Sequence, residues 1–189
     1  MVLPIRIFGD PILRQPCEPV EQITPELEEL ARDMLETMYS AGSVGLAAPQ
    51  VGRRLRLFVM DVRKSKRSST LWIDGRMSSL DTLLPLAFFN AEIKPDQAIE
   101  TAPEGCVSIP GIRVDVTRPE CVEVWGTDVK GGRIRFRAGG LLARVVQHEL
   151  DQLHGILFTD RMPPEVLASV RSCVQALEKE TLAKLTKDS

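Results

Sequence analysis

The chain has 189 residues and a formal net charge of −2, with 43% hydrophobic and 26% charged residues. This length and composition predict one globular domain over residues 1–189, and the near-neutral charge argues against a protein that binds DNA by bulk positive charge. Two histidines exclude a tris-histidine metal site, and four scattered cysteines nearly exclude a four-thiolate zinc site.

The first predicted element is a helix that begins after Thr24, an N-cap residue, with Pro25 at its first helical position. Apolar residues recur after it at helical spacing, which predicts one buried face: Leu27, Leu30, Ala31, Met34, Leu35 and Met38. A glycine-containing loop over 42–52 leads to a predicted strand over 55–62.

The middle of the chain has the pattern of β-structure. The polar, serine-rich segment 63–79 predicts a loop with hairpin character, and 83–90 predicts a short strand interrupted by Pro85. From 104 to 137, apolar residues alternate with polar ones, which predicts several antiparallel strands.

Two helices are predicted in the last third of the chain. One runs over about 140–154 with Gly155 as its C-terminal cap, and another starts near Pro164. The whole pattern predicts an α+β fold with one core, in which antiparallel strands pack around the helix over 140–154, with N- and C-terminal helices.

Cysteine usage and the N-terminal sequence bear on the compartment. The four cysteines form no C-x-x-C pair and no spacing typical of secreted frameworks, which favours a reducing environment. The first residues do not have the pattern of a signal peptide, and the longest apolar run, 83–89, is too short to span a bilayer. We expect a cytoplasmic protein with no membrane partner, and an organelle stays open as an alternative.

The helix over 140–154 carries the sequence QHELDQ at 147–152. His148 and Gln152 lie one turn apart on the same helix face. In the H-E-x-x-H pattern both histidines bind a metal and the glutamate is the general base, but here Gln152 occupies the second position. The other histidine, His154, lies ~200° around the helix from Gln152 and therefore faces away from it.

Two further motifs accompany the helix: SVGLAAPQ over 43–50 and EGCVS over 104–108. In this order, the three motifs resemble those of the peptide deformylase family, which read G-x-G-L-A-A-x-Q, E-G-C-x-S and H-E-x-D-H. The resemblance covers nearly the whole chain. The chain departs from the family pattern at Ser43, where the family has glycine, and at Gln152, where it has the second histidine.

The resemblance implies a metal-dependent hydrolase that removes the N-formyl group from the N-terminal methionine of nascent peptides. Cys106 and His148 would be metal ligands, with Gln152 at the third position. The metal would be Fe(II) natively, with Zn, Ni or Co as possible substitutes. Formamide hydrolysis requires an activated water, which a divalent metal with three protein ligands and one open position supplies.

The resemblance also implies roles for residues around the metal. Glu149 would be the general acid and base. The side-chain N–H of Gln50 and the backbone N–H of Val107 would donate to the developing oxyanion. Backbone groups would hold the formylated peptide as an added strand, and those residues are Val44, Gly45 and Gly105.

Gln152 leaves three interpretations open. Its carboxamide oxygen binds the metal, or the metal is held weakly by Cys106, His148 and waters, or the site binds no metal. The last would make the chain a catalytically silent relative that binds a peptide or protein partner. Hydrolysis of another amide, as in a peptidase, is a further alternative. The basic residues of 63–67 are typical of a solvated loop, with contact with the ribosome surface or RNA as the alternative.

Overall fold

The computed structural model describes residues 1–187. Three α-helices and nine strands occur in that part of the chain, and their bounds are α1 Pro25–Ser40, β1 Gly45–Ala47, β2 Leu57–Met60, β3 Ser69–Ile73, β4 Arg76–Met77, β5 Leu86–Pro95, β6 Ile99–Cys106, β7 Ile109–Pro119, β8 Cys121–Asp128, β9 Arg133–Gly140, α2 Leu141–Leu153 and α3 Pro164–Lys187. The predicted α+β class is confirmed.

The predicted helices occur where local signals place them. α1 begins at Pro25, after Thr24 in extended conformation, and its predicted stripe includes the buried Ala31, Met34 and Met38. α2 follows Gly140, which has φ 62°, and a Cβ there would lie 2.6 Å from the carbonyl oxygen of Ser68. Glycine is therefore required at the junction between β9 and α2.

The strand predictions need more adjustment. The hairpin expected in 63–79 is present as β3 and β4, joined at Asp74 and Gly75, which have φ of 50° and 73°. Positive φ at both central residues is typical of a tight hairpin turn. The strand predicted over 83–90 begins only after Pro85, and the predicted loop 42–52 contains the three-residue strand β1. β1 is buried throughout, so it lacks the polar–apolar alternation by which strands are recognised.

Seven strands form one antiparallel sheet in the order β1-β2-β5-β8-β9-β3-β4, and β6 pairs with β7 in a separate antiparallel hairpin. In the described part of the chain, β1 is an edge strand that pairs only with β2. α2 packs against strands of the large sheet and against β7, and all of its residues are buried. A helix buried on every side brings its polar side chains into the interior of the molecule.

The main core joins the large sheet to α2. Its buried side chains include Phe58, Phe88, Phe136, Leu142, Val146 and Leu150. A second cluster packs the β6–β7 hairpin against α3 through Ile109, Phe158 and Val174. Fully burying each such side chain contributes about 1.5–3 kcal/mol. Within residues 1–187 no helix combines the length and apolar character that crossing a bilayer requires.

Candidate active site

A cavity of about 800 Å³ opens between β1, the turn that joins β6 to β7, and α2. The three sequence motifs meet there, because Gly45, Gln50, Cys106, His148 and Glu149 all line it. Gln152 lies deeper, at 2% exposure. The fold therefore joins segments about a hundred residues apart into one centre.

Two predicted metal ligands lie at a distance that suits a shared ion. The Sγ of Cys106 is 3.8 Å from the Oε1 of Gln152. Two ligand atoms on one tetrahedral ion, with bonds of ~2.3 and ~2.1 Å, would be ~3.6 Å apart. His148 interacts with the same sulfur, so the side chains of His148 and Gln152 both adjoin Cys106. The donor set fits a divalent metal.

The orientation of the Gln152 carboxamide follows from its neighbours. Its Nε2 donates to the Oε2 of Glu149 at 3.1 Å and to the Oε1 of Gln50 at 3.3 Å. The Oε1 of Gln50 also accepts from the backbone N–H of Ala47 at 2.8 Å, so it is an acceptor. With its nitrogen facing two acceptors, Gln152 turns its oxygen toward Cys106.

His148 is oriented by Glu104. Its Nδ1 lies 3.0 Å from the Oε2 of Glu104, and the ring packs against Phe158. Burial acts to raise the pKa of Glu104, but hydrogen bonds from His148 and Arg118 outweigh it and lower that pKa to about 2. Glu104 is therefore a carboxylate that accepts from Nδ1–H, and the Nε2 of His148 is left to face the centre.

The same surroundings attract positive charge. Burial acts to lower the pKa of His148, but hydrogen bonds with Cys106 and Glu104, together with the charge of Glu149, raise it to about 10. An environment that stabilises a proton on the imidazole also stabilises a metal cation beside it.

Glu104 belongs to a buried network of ion pairs behind α2. Arg118 donates to Glu104 at 2.6 and 3.0 Å and to Asp151 at 2.7 Å. Arg144 donates to Glu104 at 2.7 Å, and Arg161 donates to Asp151 at 3.1 Å. Sequence reasoning missed this network; the only available signal was that Glu104 opens the EGCVS motif. The network fixes the β6–β7 hairpin against the helix that carries His148.

Glu149 lies at the inner wall of the cavity. Burial raises its pKa to about 7, and the nearby His148 opposes that rise. A carboxyl group with a pKa near neutrality can both accept and donate a proton. Gly45 makes this position possible, because a Cβ there would lie 2.3 Å from the Oε1 of Glu149. The sequence interpretation gave Gly45 only the approach of a substrate, and the structure adds this packing requirement.

Gln50 points its amide nitrogen into the centre. Its Nε2 is 3.3 Å from the Sγ of Cys106 and 3.0 Å from the Oγ of Ser108, a contact that the sequence analysis did not foresee. Val107 lies in the turn between β6 and β7 and lines the same cavity. Both predicted oxyanion donors thus border the space in front of Cys106.

Two unpaired strand edges border the cavity. Among the strands of residues 1–187, β1, with Gly45, pairs only with β2, and β6, with Gly105, pairs only with β7. Val44 also lines the opening. Backbone groups on such edges are available to an extended peptide. The departure at Ser43 is tolerated, since its φ lies outside the left-handed region and its hydroxyl donates to the carbonyl oxygen of Gly45 at 2.8 Å.

The remaining histidine and the acidic residues provide no substitute ligand. His154 is exposed at the end of α2, as its position on the helix predicts. Across residues 1–187, no group of three or more His, Cys, Asp or Glu side chains is arranged to hold a metal. A three-ligand site made by protein side chains therefore depends on the carboxamide of Gln152.

Comparison with known proteins gives consistent matches over the chain. The polypeptide deformylase family model matches residues 2–167. The peptide deformylase of Opitutus terrae is 40% identical over 185 residues, which cover 97% of this chain and 96% of that protein.

Solved structures agree with the sequence relatives. The Thermotoga maritima peptide deformylase superposes with a TM-score of 0.74 at 38% identity, covering 87% of this chain and 99% of that one. The Synechococcus elongatus enzyme, solved in complex with actinonin, gives a TM-score of 0.75 at 39% identity, covering 95% of this chain and 85% of that one.

Proposed function

The chain belongs to the peptide deformylase family, and we propose that it removes the N-formyl group from the N-terminal methionine of nascent peptides, with activity weakened by Gln152. The observation that carries this proposal is that His148 and Gln152 both adjoin the Cys106 sulfur, with Glu149 hydrogen-bonded to Gln152.

One divalent metal ion is part of the proposal, held by Cys106, His148 and Gln152. The family is metal-dependent, and we assign Fe(II) as the native ion, with Zn, Ni or Co as substitutes. The carboxamide is neutral like imidazole, so the charge of the donor set is unchanged. Its oxygen is a harder donor than imidazole and suits a thiolate-containing site less well, so we expect weaker metal binding than in relatives with histidine.

The residues around the ion have distinct proposed roles. When bound, the metal supplies a nucleophile at neutral pH by lowering the pKa of water to about 7. Glu149 would take a proton from the attacking water and deliver it to the leaving amine. The Nε2 of Gln50 and the backbone N–H of Val107 donate to the oxyanion, and each such donor lowers the barrier by about 3–4 kcal/mol. Gln152 holds the carboxylate of Glu149 in place through its Nε2.

A second candidate function rests on the completeness of the hydrogen bonds around Gln152. Its amide nitrogen already has two acceptors, and Gln50 already donates to Ser108. Such a satisfied network is stable without an ion, as in a catalytically silent relative that binds a peptide or protein partner. This alternative predicts that Gln152→His creates activity where the unmodified chain has none.

We also propose the domain organisation, the location and a partner of the protein. We assign residues 1–189 to a single domain, supported by the family match over residues 2–167. The proposed location is the cytoplasm, with an organelle as the alternative. Arg63, Lys64 and Lys66 are exposed and Arg67 is partly exposed, and these basic residues would suit contact with the ribosome surface.

The test measures metal content and formate release in the same preparation. Protein produced with excess Fe(II), Ni or Zn is analysed for bound metal, then assayed with formyl-Met and acetyl-Met peptides under oxygen exclusion. We expect close to one metal per chain and formate release from the formyl peptide only. Glu149→Gln should keep the metal and lose about 10²–10⁴-fold in rate. Absence of both metal and formate release would overturn the proposal, and cleavage of acetyl peptides at similar rates would indicate a different amidohydrolase.

A further inference from the structure

The outer part of the cavity carries uncompensated positive charge. Among its charged lining residues, the carboxyls of Glu104 and Glu149 are buried, at 6% and 4% exposure. Glu104 is already paired with Arg118, Arg144 and His148. The accessible charges that remain belong to arginine.

Those accessible arginines are Arg67 and Arg113, which both line the opening. Arg113 is exposed on β7, and Arg67 is partly exposed in the segment that leads into the β3–β4 hairpin. Neither forms an ion pair with any carboxylate of residues 1–187. Nearby Arg63, by contrast, pairs with both Asp61 and Asp81.

Arg67 is held at a defined place on the rim. Its Nη1 donates to the carbonyl oxygen of Pro103 on β6 at 3.0 Å, and its backbone N–H donates to the Oγ of Ser65 at 3.1 Å. One of its five N–H groups is thus used to anchor the side chain. The other donors of the guanidinium fork are available to a carboxylate.

The position of Pro103 on β6 indicates which residue of a bound peptide would lie beside Arg67. Cys106 is the last residue of β6. A peptide that pairs with β6 and has its formyl end at Cys106 must therefore run antiparallel to the strand, toward Ile99. Pro103 lies two residues before Gly105, ~7 Å along the strand, which is the length of about two extended peptide residues. A methionine opposite Gly105 would therefore bring the third residue of the peptide opposite Pro103.

We propose that Arg67, assisted by Arg113, selects peptides that carry a carboxylate side chain at the third residue. The proposal rests on the proposed function for its substrate class. An acidic third residue would accept hydrogen bonds from the free N–H groups of Arg67 while the backbone follows β6. The charge would also speed association with acidic peptides at low ionic strength.

The experiment compares two peptides, formyl-Met-Ala-Glu-Ala-amide and formyl-Met-Ala-Gln-Ala-amide. Binding is measured by calorimetry on metal-loaded protein carrying Glu149→Gln, which prevents turnover. We expect about 5-fold tighter binding of the Glu peptide, the upper range for one accessible ion pair, with the preference shrinking as salt is added. Arg67→Gln should abolish the preference, and Arg67→Lys should restore part of it.

Arg76→Gln is the matched control, because Arg76 is exposed on β4 and does not line the cavity. It should leave the preference intact. Equal affinities for the two peptides, or a preference that survives Arg67→Gln, would overturn the proposal. The proposal would also be overturned if the protein preferred formyl-Met-Ala-Gln with a free C-terminal carboxylate over the corresponding amide and showed no preference for the Glu side chain.

Failure of the proposed function gives a different result. Deformylation of the neutral Gln peptide by the unmodified chain tests the reaction alone, whatever the third residue contributes. Formate release with equal affinities refutes only the selectivity. A Glu preference without formate release refutes only the reaction and leaves a peptide-binding protein with the same selectivity.

Discussion

His148 and Gln152 lie one turn apart on α2, and the two side chains are held by different kinds of groups. His148 is backed by Glu104, which lies in a buried network of carboxylates and guanidinium groups. Gln152 is surrounded by the neutral amide of Gln50 and the carboxyl of Glu149. Removing one partner of a buried ion pair costs about 3–5 kcal/mol, whereas removing one partner of a buried neutral hydrogen bond costs about 1–3 kcal/mol.

The comparison gives a physical reason why the chain departs from the family pattern at Gln152 and not at His148. Exchange of His148 would leave Glu104 with one partner fewer inside a charged cluster. Exchange of the family's second histidine for Gln152 alters no charge, and the carboxamide finds partners on both sides. We infer that the second ligand position is the more adaptable half of the centre.

The largest expected effect comes from Glu104→Gln, which removes the charge that anchors His148. Arg144 would then lose its buried carboxylate and Arg118 would keep only Asp151, at a cost of about 3–5 kcal/mol in the free energy of unfolding. Metal affinity should also fall about 10–100-fold. Urea unfolding and metal titration measure the two losses. Glu123→Gln, in an exposed pair with Arg135, is the control and should cost below about 1 kcal/mol.

If Glu104→Gln kept full stability, the distinction between the ion network around His148 and the hydrogen bonds around Gln152 would be lost. The distinction would also fail if Glu123→Gln were equally damaging, because that result would indicate a general sensitivity to charge.

The second prediction concerns substitution of Gln152, the position that we infer to be the more adaptable one. Gln152→His should raise metal affinity by about 10–100-fold, since imidazole is the better donor beside a thiolate. Gln152→Leu should lower it by at least as much while keeping the fold. Metal titration against a chelator gives the affinities. His154→Gln is the matched control, because His154 is exposed and should leave metal binding unchanged. Equal affinities in Gln152→His and Gln152→Leu would show that position 152 is not a ligand.

The third prediction tests whether a buried charge outside the Glu104 network affects metal binding. Asp61 is buried, accepts hydrogen bonds from Arg63 and Tyr39, and pairs with none of the arginines that bind Glu104. The hydrogen bond from Arg63 is the main cause that lowers the pKa of Asp61 to about 2, from 3.8. A folded-state pKa below the unfolded value stabilises the protein above about pH 4, and that stability is lost as pH falls toward 2.

Asp61→Asn should therefore reduce the free energy of unfolding by up to about 2 kcal/mol at neutral pH, with little difference from the unmodified chain near pH 2. Metal content should be unchanged. Unfolding curves over this pH range test the sign, and a fall in metal content would mean that any buried charge, not Glu104 in particular, supports the centre.

The smallest expected effect is that of Ser108→Ala within the amide network. The Oγ of Ser108 accepts from Gln50 at 3.0 Å, and its loss should cost about 1 kcal/mol and a few-fold in kcat/KM. Formate-release kinetics and urea unfolding measure both. Ser169→Ala, an exposed serine in α3, is the control. A loss as large as that of Glu104→Gln would contradict the tolerance we infer for this half.

The sequence by itself determined the helices, the α+β class and the family, because each depends on short-range patterns. Thr24 with Pro25 starts α1 by local backbone preference, and the three motifs need only residues a few positions apart. The sequence also placed His148 and Gln152 on one helix face and His154 on another, since helical geometry fixes those directions. It did not reveal β1, because a fully buried strand of three residues has no alternating pattern.

Only the tertiary structure decided how the site residues contact one another. The pairing of Glu104 with His148 spans 44 residues, and the bond between Gln152 and Gln50 spans 102. The orientation of the Gln152 carboxamide and the need for Gly45 beside Glu149 arise from such contacts. These contacts depend on side chains that different elements bring together, and no local pattern in the chain encodes which of them will meet.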